Sequence, residues 1–269
     1  MSHSGPPSRL FAPGLFKGKV VIVTGGGTGI GLAAALEMGR LGARIAIGSR
    51  KQNHVDAGLE KLREAGVESL GAILDIRDRA SVDGFIKAVL DAYGTVDILI
   101  NNAGGQFPAP AAVMEEKGWR AVIDTNLNGT WNMTQAVAKA CMLRRGGVII
   151  NIIVPTDRGM PGVSHTSAAR AAVSNLTKSL ATEWAQFGIR VVSLAPGTID
   201  TGGLKQYPPP LIESLRKGIP WGRFGTPEEI AEVITFLASP ACDFCTGETF
   251  TVDGGARWAH PMFLPRKVQ

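Results

Sequence analysis

Lys19-Val20-Val21-Ile22-Val23-Thr24-Gly25-Gly26-Gly27-Thr28-Gly29-Ile30-Gly31 is the stretch that decides the fold. It opens as a short, continuous apolar run, the pattern of a strand buried on both faces of a parallel sheet. It breaks into glycines and resumes, over 29–41, with helical periodicity. Glycine at such a turn lets the chain reverse tightly and lets backbone N–H groups approach a phosphate. The following helix offers its positive N-terminus to the same group. A glycine-rich turn alone is weak evidence; between a first strand and a first helix it points to a dinucleotide site. Gly25, Thr28, Gly29, Ile30 and Gly31 are expected to cradle the pyrophosphate, with Gly31 permitting close helix–sheet packing.

Outward from this turn, strands and helices alternate. Strands are expected over 44–47, 69–74, 96–100, 148–154, 189–194 and 248–252. Helices are expected over 53–65, 79–93, 117–143, 164–187 and 227–237. Seven strands separated by helices predict an α/β fold, a Rossmann-like, doubly wound parallel seven-stranded sheet with helices on both faces. No linker or repeat interrupts it, so a single domain is expected.

The composition agrees. The 269 residues carry 28 Lys and Arg against 23 Asp and Glu, a formal charge of +5, and 45% are hydrophobic. That excludes a disordered chain. The basic residues are scattered rather than clustered, so no nucleic-acid partner is expected. No apolar stretch reaches the roughly 18 residues that cross a bilayer, so no membrane partner is expected either. Residues 1–7 lack the apolar segment of a secretory signal, which leaves a cytoplasmic location as the expectation. Cys141, Cys242 and Cys245 are an odd set. Cys242 and Cys245 lack a second ligand pair, so they read as incidental thiols and no metal is expected. Thirty-four glycines suit a nucleotide-binding sheet; two tyrosines are scarce.

The second strand ends Gly48-Ser49-Arg50-Lys51. A site for NAD would place a carboxylate near here for the ribose 2′-hydroxyl. Ser49, Arg50 and Lys51 instead suit a 2′-phosphate, and the cofactor is expected to be NADP(H).

The spacing Gly25-x-x-x-Gly29-x-Gly31, with Asn101-Asn102-Ala103-Gly104 after the fourth strand, resembles the short-chain dehydrogenase/reductase family. Asp75, Asn126, Pro196-Gly197 and Asp253-Gly254-Gly255 extend the match across 18–255. The resemblance implies nicotinamide-dependent hydride transfer and a tetramer or dimer, with a homotetramer expected. It implies that Asp75 and Ile76 flank the adenine and that Asn102, Ala103 and Gly104 line the cofactor. It puts Pro196, Gly197, Ile199 and Thr201 at the nicotinamide end. Pro6, Pro7 and Pro13 mark residues 1–17 as an extension, ahead of a catalytic domain (18–257) in which the resemblance puts a substrate lid at about 201–225, and a tail (258–269).

The pattern then departs from the family's Ser and Tyr-x-x-x-Lys. The fifth strand ends Asn151-Ile152-Ile153-Val154-Pro155 without serine. Thr166 stands where the tyrosine belongs and Arg170 where the lysine belongs. Tyr93 and Tyr207 lie elsewhere, Tyr207 in the lid. The segments Gly104-Gly105-Gln106-Phe107, 151–156 and Ala168-Ala169-Arg170-Ala171 resemble peroxisomal trans-2-enoyl-CoA reductases and their bacterial relatives of the citronellol dehydrogenase type.

Reducing a carbonyl creates an alkoxide that needs a strong nearby acid. Reducing a C=C bond conjugated to a thioester creates an enolate, which needs hydrogen-bond donors. Losing the tyrosine therefore favours enoyl-thioester reduction. The alternatives are an alcohol or aldehyde oxidoreductase and an NADP-binding protein without turnover. Arg170 is expected to hold the nicotinamide ribose. Asn126 or Asn128 would orient water or substrate, and Thr166, Ser167 or His165 would donate to the enolate. Lys205, Arg216, Lys217 and Arg223 could meet CoA phosphates or simply solvate the lid. Trp221 and Trp258 are expected in an interface or the core.

Overall fold

The computed structural model describes residues 10–259. Its seven strands are β1 (Val20–Thr24), β2 (Arg44–Ser49), β3 (Ser69–Ile73), β4 (Ile98–Asn101), β5 (Gly147–Ile152), β6 (Ile189–Pro196) and β7 (Thr249–Val252). All pair in parallel, in the order β3-β2-β1-β4-β5-β6-β7. The chain winds outward from β1 to β3, then returns to lay β4 on the other side of β1. A crevice for ligands forms at the carboxyl ends of the strands where this reversal occurs.

The helices are α1 (Gly29–Arg40), α2 (Gln52–Glu64), α3 (Arg79–Tyr93), α4 (Glu116–Ile123), α5 (Gly129–Val137), α6 (Leu143–Arg145), α7 (Ser164–Trp184), α8 (Pro209–Lys217) and α9 (Pro227–Ala238). They cover both faces of the sheet. The strand period of two sends Val21 and Val23 into one core with Met38, Ile230 and Ile234. Val20 and Ile22 enter the opposite core with Phe85, Val89, Met133 and Val137. Phe16, ahead of β1, is buried in the first of these cores. Burying each such side chain stabilises the fold by roughly 1.5–3 kcal/mol.

The helix expected over 117–143 is not uniform. Wider π turns occupy Asp124–Asn128 and Ala138–Met142. At the first, the Thr130 hydroxyl donates to the Asn126 carbonyl at 2.9 Å and the Thr125 hydroxyl to that of Ala121 at 2.8 Å. Hydroxyls that bond back to the preceding turn compete with the helical ladder and deform it. Such single-turn widenings occur frequently at functional sites.

The lid also holds more regular structure than its prolines suggest, a short turn over Gly202–Gln206 followed by α8. Its two ends are pinched together. The Asp200 amide donates to the Gly225 carbonyl at 2.8 Å, and the Gly225 amide to the Thr198 carbonyl at 3.1 Å. Trp221 and Trp258 do not enter the core: they are 71% and 70% exposed. Trp258 stacks beneath the Arg257 guanidinium instead. Residues 260–269 of the expected tail and 1–9 of the expected extension lie outside the described residues.

Candidate active site

At the end of β1 the chain turns through Gly25 (φ +65°) and Gly29 (φ +53°), left-handed conformations that favour glycine. A β-carbon at Gly31 would lie 2.5 Å from both the Gly25 carbonyl oxygen and Asn102 Nδ2. Thr28 begins α1 in an extended conformation, its side chain makes no capping bond, and the first turn carries no acid. The leading N–H groups of α1 are thus left for an anion, which fits a pyrophosphate.

Thr24 holds this turn against β4. Its hydroxyl oxygen accepts from the amides of Asn102 (3.0 Å) and Ala103 (2.9 Å). Asn102 Nδ2 donates to the Thr24 carbonyl at 2.9 Å. The Thr201 methyl lies where a β-carbon on Gly29 would touch it, at 3.5 Å. Gly25, Gly29, Gly31, Asn102, Ala103 and Thr201 are thus brought together, and Thr28, Ile30, Gly104, Pro196, Gly197 and Ile199 lie at or just beyond the carboxyl ends of β1, β4 and β6.

Ser49, Arg50 and Lys51 sit at the end of β2, with Arg50 and Lys51 exposed. Arg50 makes no ion pair among the described residues, and its charge helps hold the Asp75 carboxyl low. The larger cause there is Arg77, which donates to Asp75 from Nε and Nη2. Ile76 is buried beside Gly129, and its carbonyl accepts from Asn132.

Asn126, inside the first π turn, is 1% exposed and fully committed. Its Oδ1 accepts from the Gly105 amide at 3.0 Å. Its Nδ2 donates to the Gly105 carbonyl at 2.9 Å and to Thr166 Oγ1 at 3.2 Å. Both amide hydrogens are used, so none remains for a ligand. The Thr166 hydroxyl, with its oxygen held, keeps its own hydrogen for another acceptor. Asn128 turns away from this cluster: it is exposed and donates to Asp124. The widened turn places Asn126 inward and Asn128 outward, which removes Asn128 as a site residue.

Arg170 lies one helical turn beyond Thr166 on the same face of α7 and is buried. Its Nη1 donates to the Ile152 carbonyl at 2.8 Å. Among the described residues it makes no ion pair with a carboxylate. Burial pulls its pKa down to about 10, so it is still a cation at neutral pH. A buried cation with most of its donors unspent calls for hydroxyl or anionic oxygens from outside the chain. His165 is fully buried. Its Nδ1 accepts from the Thr166 amide at 2.8 Å, so the ring hydrogen sits on Nε2, which has no partner among the described residues. Phe107 meets the imidazole edge-on, with ring centroids 4.7 Å apart. Ser167 is half-buried and joins none of these bonds.

Three features escaped the sequence reading. The Thr24 tie is one. A buried polar ladder behind the site is another: Asn101 Nδ2 donates to Thr134 and to Asn151 Oδ1, and Asn151 Nδ2 to Thr177. Polar residues at matched register on neighbouring apolar strands were the available signal. The third is a bond from Gln106 Nε2 to the Tyr207 phenol oxygen at 2.9 Å, joining the loop after β4 to the lid.

Around the lid, Arg216 and Lys217 pair with Glu213, and Arg223 pairs with Glu229. Their charges are already answered within the chain. The side chain of Lys205 lies outside what is described. Cys242 is buried, and its thiol is pushed up to about 11, mainly by burial, so it is inert.

Residues 25–257 match a family model described as "Enoyl-(Acyl carrier protein) reductase". A probable 2,4-dienoyl-CoA reductase of Bacillus subtilis is 36% identical over 253 residues, covering 90% of this chain and 98% of the relative. A 3-oxoacyl-[acyl-carrier-protein] reductase of Thermotoga maritima is 36% identical over 240 residues, covering 89% and 98%. Among solved structures, a citronellol catabolism dehydrogenase of Pseudomonas aeruginosa superposes with a TM-score of 0.84 at 36% identity, covering 92% of this chain and 98% of that one. Glycine turn, parallel sheet and whole-length matches agree: the chain belongs to the short-chain dehydrogenase/reductase family of nicotinamide-dependent oxidoreductases.

Proposed function

We propose that this protein is an NADPH-dependent reductase of the C=C bond of an enoyl thioester, working without the family's Ser, Tyr and Lys relay. The observation that carries this is the Thr166 hydroxyl. It occupies the position four before Arg170, its oxygen pinned by Asn126. An aliphatic hydroxyl is a good donor and a poor acid. It can stabilise a thioester enolate by hydrogen bonding, which is what conjugate reduction requires. It is ill-suited to protonating the alkoxide of a ketone reduction.

NADPH, when bound, supplies a hydride. The open N-terminus of α1 receives its pyrophosphate, and Ser49, Arg50 and Lys51 its 2′-phosphate. Arg170 directs its free N–H groups to the nicotinamide ribose. Asn126 is a positioning residue, clasping Gly105 and orienting Thr166. His165, with its unspent Nε2 hydrogen, is a second donor toward substrate oxygen. The relatives include a dienoyl-CoA reductase, which supports the reading, and a 3-oxoacyl reductase, which makes ketone reduction the rival. A homotetramer belongs to the same reading, supported by the exposed Phe244 and Trp258.

NADPH consumption at matched protein concentration, with a short trans-2-enoyl-CoA, a 3-oxoacyl thioester and citronellal, tests this. Faster turnover of the enoyl thioester is expected. Preference for either carbonyl compound defeats the proposal. Thermal stabilisation by NADPH with no turnover of any of the three would leave a cofactor-binding protein.

A further inference from the structure

We propose that Tyr207, carried on the lid, is the proton donor of the reaction; this rests on the enoyl-reductase reading above. The chain has two tyrosines. Tyr93 closes α3 and packs against the core beneath Arg44, away from the strand ends where the site lies. Tyr207 stands between the turn Gly202–Gln206 and α8. Its amide donates to the Leu204 carbonyl at 3.0 Å, which fixes its backbone.

The phenol oxygen accepts from Gln106 Nε2 at 2.9 Å. Gln106 directly follows Gly105, whose amide and carbonyl are both clasped by Asn126. It directly precedes Phe107, which packs on His165. The phenol is therefore anchored on the neighbour of the glycine that Asn126 clasps, and Asn126 is the group that holds Thr166. Nothing in the folding of the sheet requires this bond, which joins the loop after β4 to the lid across 101 positions of sequence.

A glutamine amide that donates to a phenol oxygen fixes that oxygen and leaves the hydroxyl hydrogen free to be given away. The same N–H steadies the phenolate that remains. The lid thereby offers a phenol to the α-carbon, while the substrate oxygen stays with Thr166 and His165, so the site still lacks an acid for a ketone's alkoxide. With a nicotinamide dinucleotide as reductant, hydride addition at the β-carbon leaves an enolate. The Tyr207 O–H bond then breaks, its proton forms the new C–H bond at the α-carbon, and the phenolate recovers a proton from water.

The test uses the full chain with NADPH and a short trans-2-enoyl-CoA. Wild-type protein that leaves this substrate unreduced overturns the substrate reading and the Tyr207 role with it. With wild-type turnover established, Tyr207→Phe should lower kcat about 100-fold, within the range for loss of a general acid. KM and the NADPH-induced rise in Tm should stay near wild type, and the solvent deuterium isotope effect on kcat should grow as protonation becomes limiting. Gln106→Leu, which keeps the phenol but releases it, should lower kcat by a smaller factor. Tyr207→Phe within twofold of wild type, with an unchanged isotope effect, overturns the Tyr207 role alone. So does a rise in KM with kcat intact in both variants, the signature of a latch that only shapes the lid.

Discussion

The guanidinium of Arg170 fills the space that a side chain at Gly104 would need, for a β-carbon built on Gly104 collides with Nη2. The glycine after Asn102-Ala103 is therefore small because an arginine on α7 occupies its flank. Gly104→Ala should displace Arg170 and cost about 1–3 kcal/mol in urea unfolding, the usual range for overpacking. The NADPH-induced rise in Tm should shrink with it. An alanine variant with wild-type stability and cofactor response would show that Arg170 has other room.

Arg50 stands exposed at the end of β2 and makes no ion pair among the described residues. Its removal by Arg50→Ser should weaken NADPH about 10- to 100-fold in a fluorescence titration, the loss of a charge-assisted bond. NADH affinity should hardly change. An unaltered ratio of the two affinities would defeat the 2′-phosphate assignment.

Asn126→Ala removes three hydrogen bonds and leaves the Gly105 amide and carbonyl without their side-chain partner. A stability loss of about 1–3 kcal/mol is expected from chemical denaturation. Asn126→Asp keeps the acceptor for the Gly105 amide but sets a carboxylate against the Gly105 carbonyl. It should therefore be no better than alanine, and both should lose most turnover, because alanine leaves Thr166 unheld and aspartate draws its hydroxyl hydrogen onto the carboxylate.

Glu229 caps α9 reciprocally with Thr226 and binds Arg223. Arg223 and the Thr226 amide pull its carboxyl down to about 2, from an ordinary 4.5. A carboxyl depressed by folding stabilises fully above its unfolded value and loses that contribution as pH falls through its folded value. Glu229→Gln keeps an acceptor for the Thr226 amide but loses the exposed pair with Arg223, so it should lower stability by up to about 1 kcal/mol at pH 7. The gap should narrow below about pH 4.5 and close near pH 2. A gap that persists at pH 2 would point to packing rather than charge.

The strand–turn–helix of the first crossover was legible because apolar runs and glycines act locally, and Gly25 and Gly29 do take positive φ. The seven strands followed from the same alternation. The π turn around Asn126 was not legible, since an apolar face looks much the same whether or not one residue bulges from it. Helix α8 was hidden behind Pro208-Pro209-Pro210, which reads as loop, although proline suits a helix's first turn. At the site, residue types near the strand ends could be listed from the sequence, but not their pairings. The Asn126 and Gly105 clasp and the Gln106 and Tyr207 bond join segments 21 and 101 residues apart, and no spacing rule reaches that far.

The pinch between Thr198, Asp200 and Gly225 at the base of the lid separates two kinds of change. Because the ends are tied together just outside the sheet, residues 201–224 form a loop whose length and sequence can vary with little effect on strand register. Closing a longer loop at a fixed base costs little more. A lid transplanted from a relative should thus fold onto this body, and should bring its own choice of substrate with turnover kept only where it carries a phenol in place of Tyr207. Substrate range in this protein can drift through one segment that keeps its phenol, without renegotiating the core that makes the chain stable.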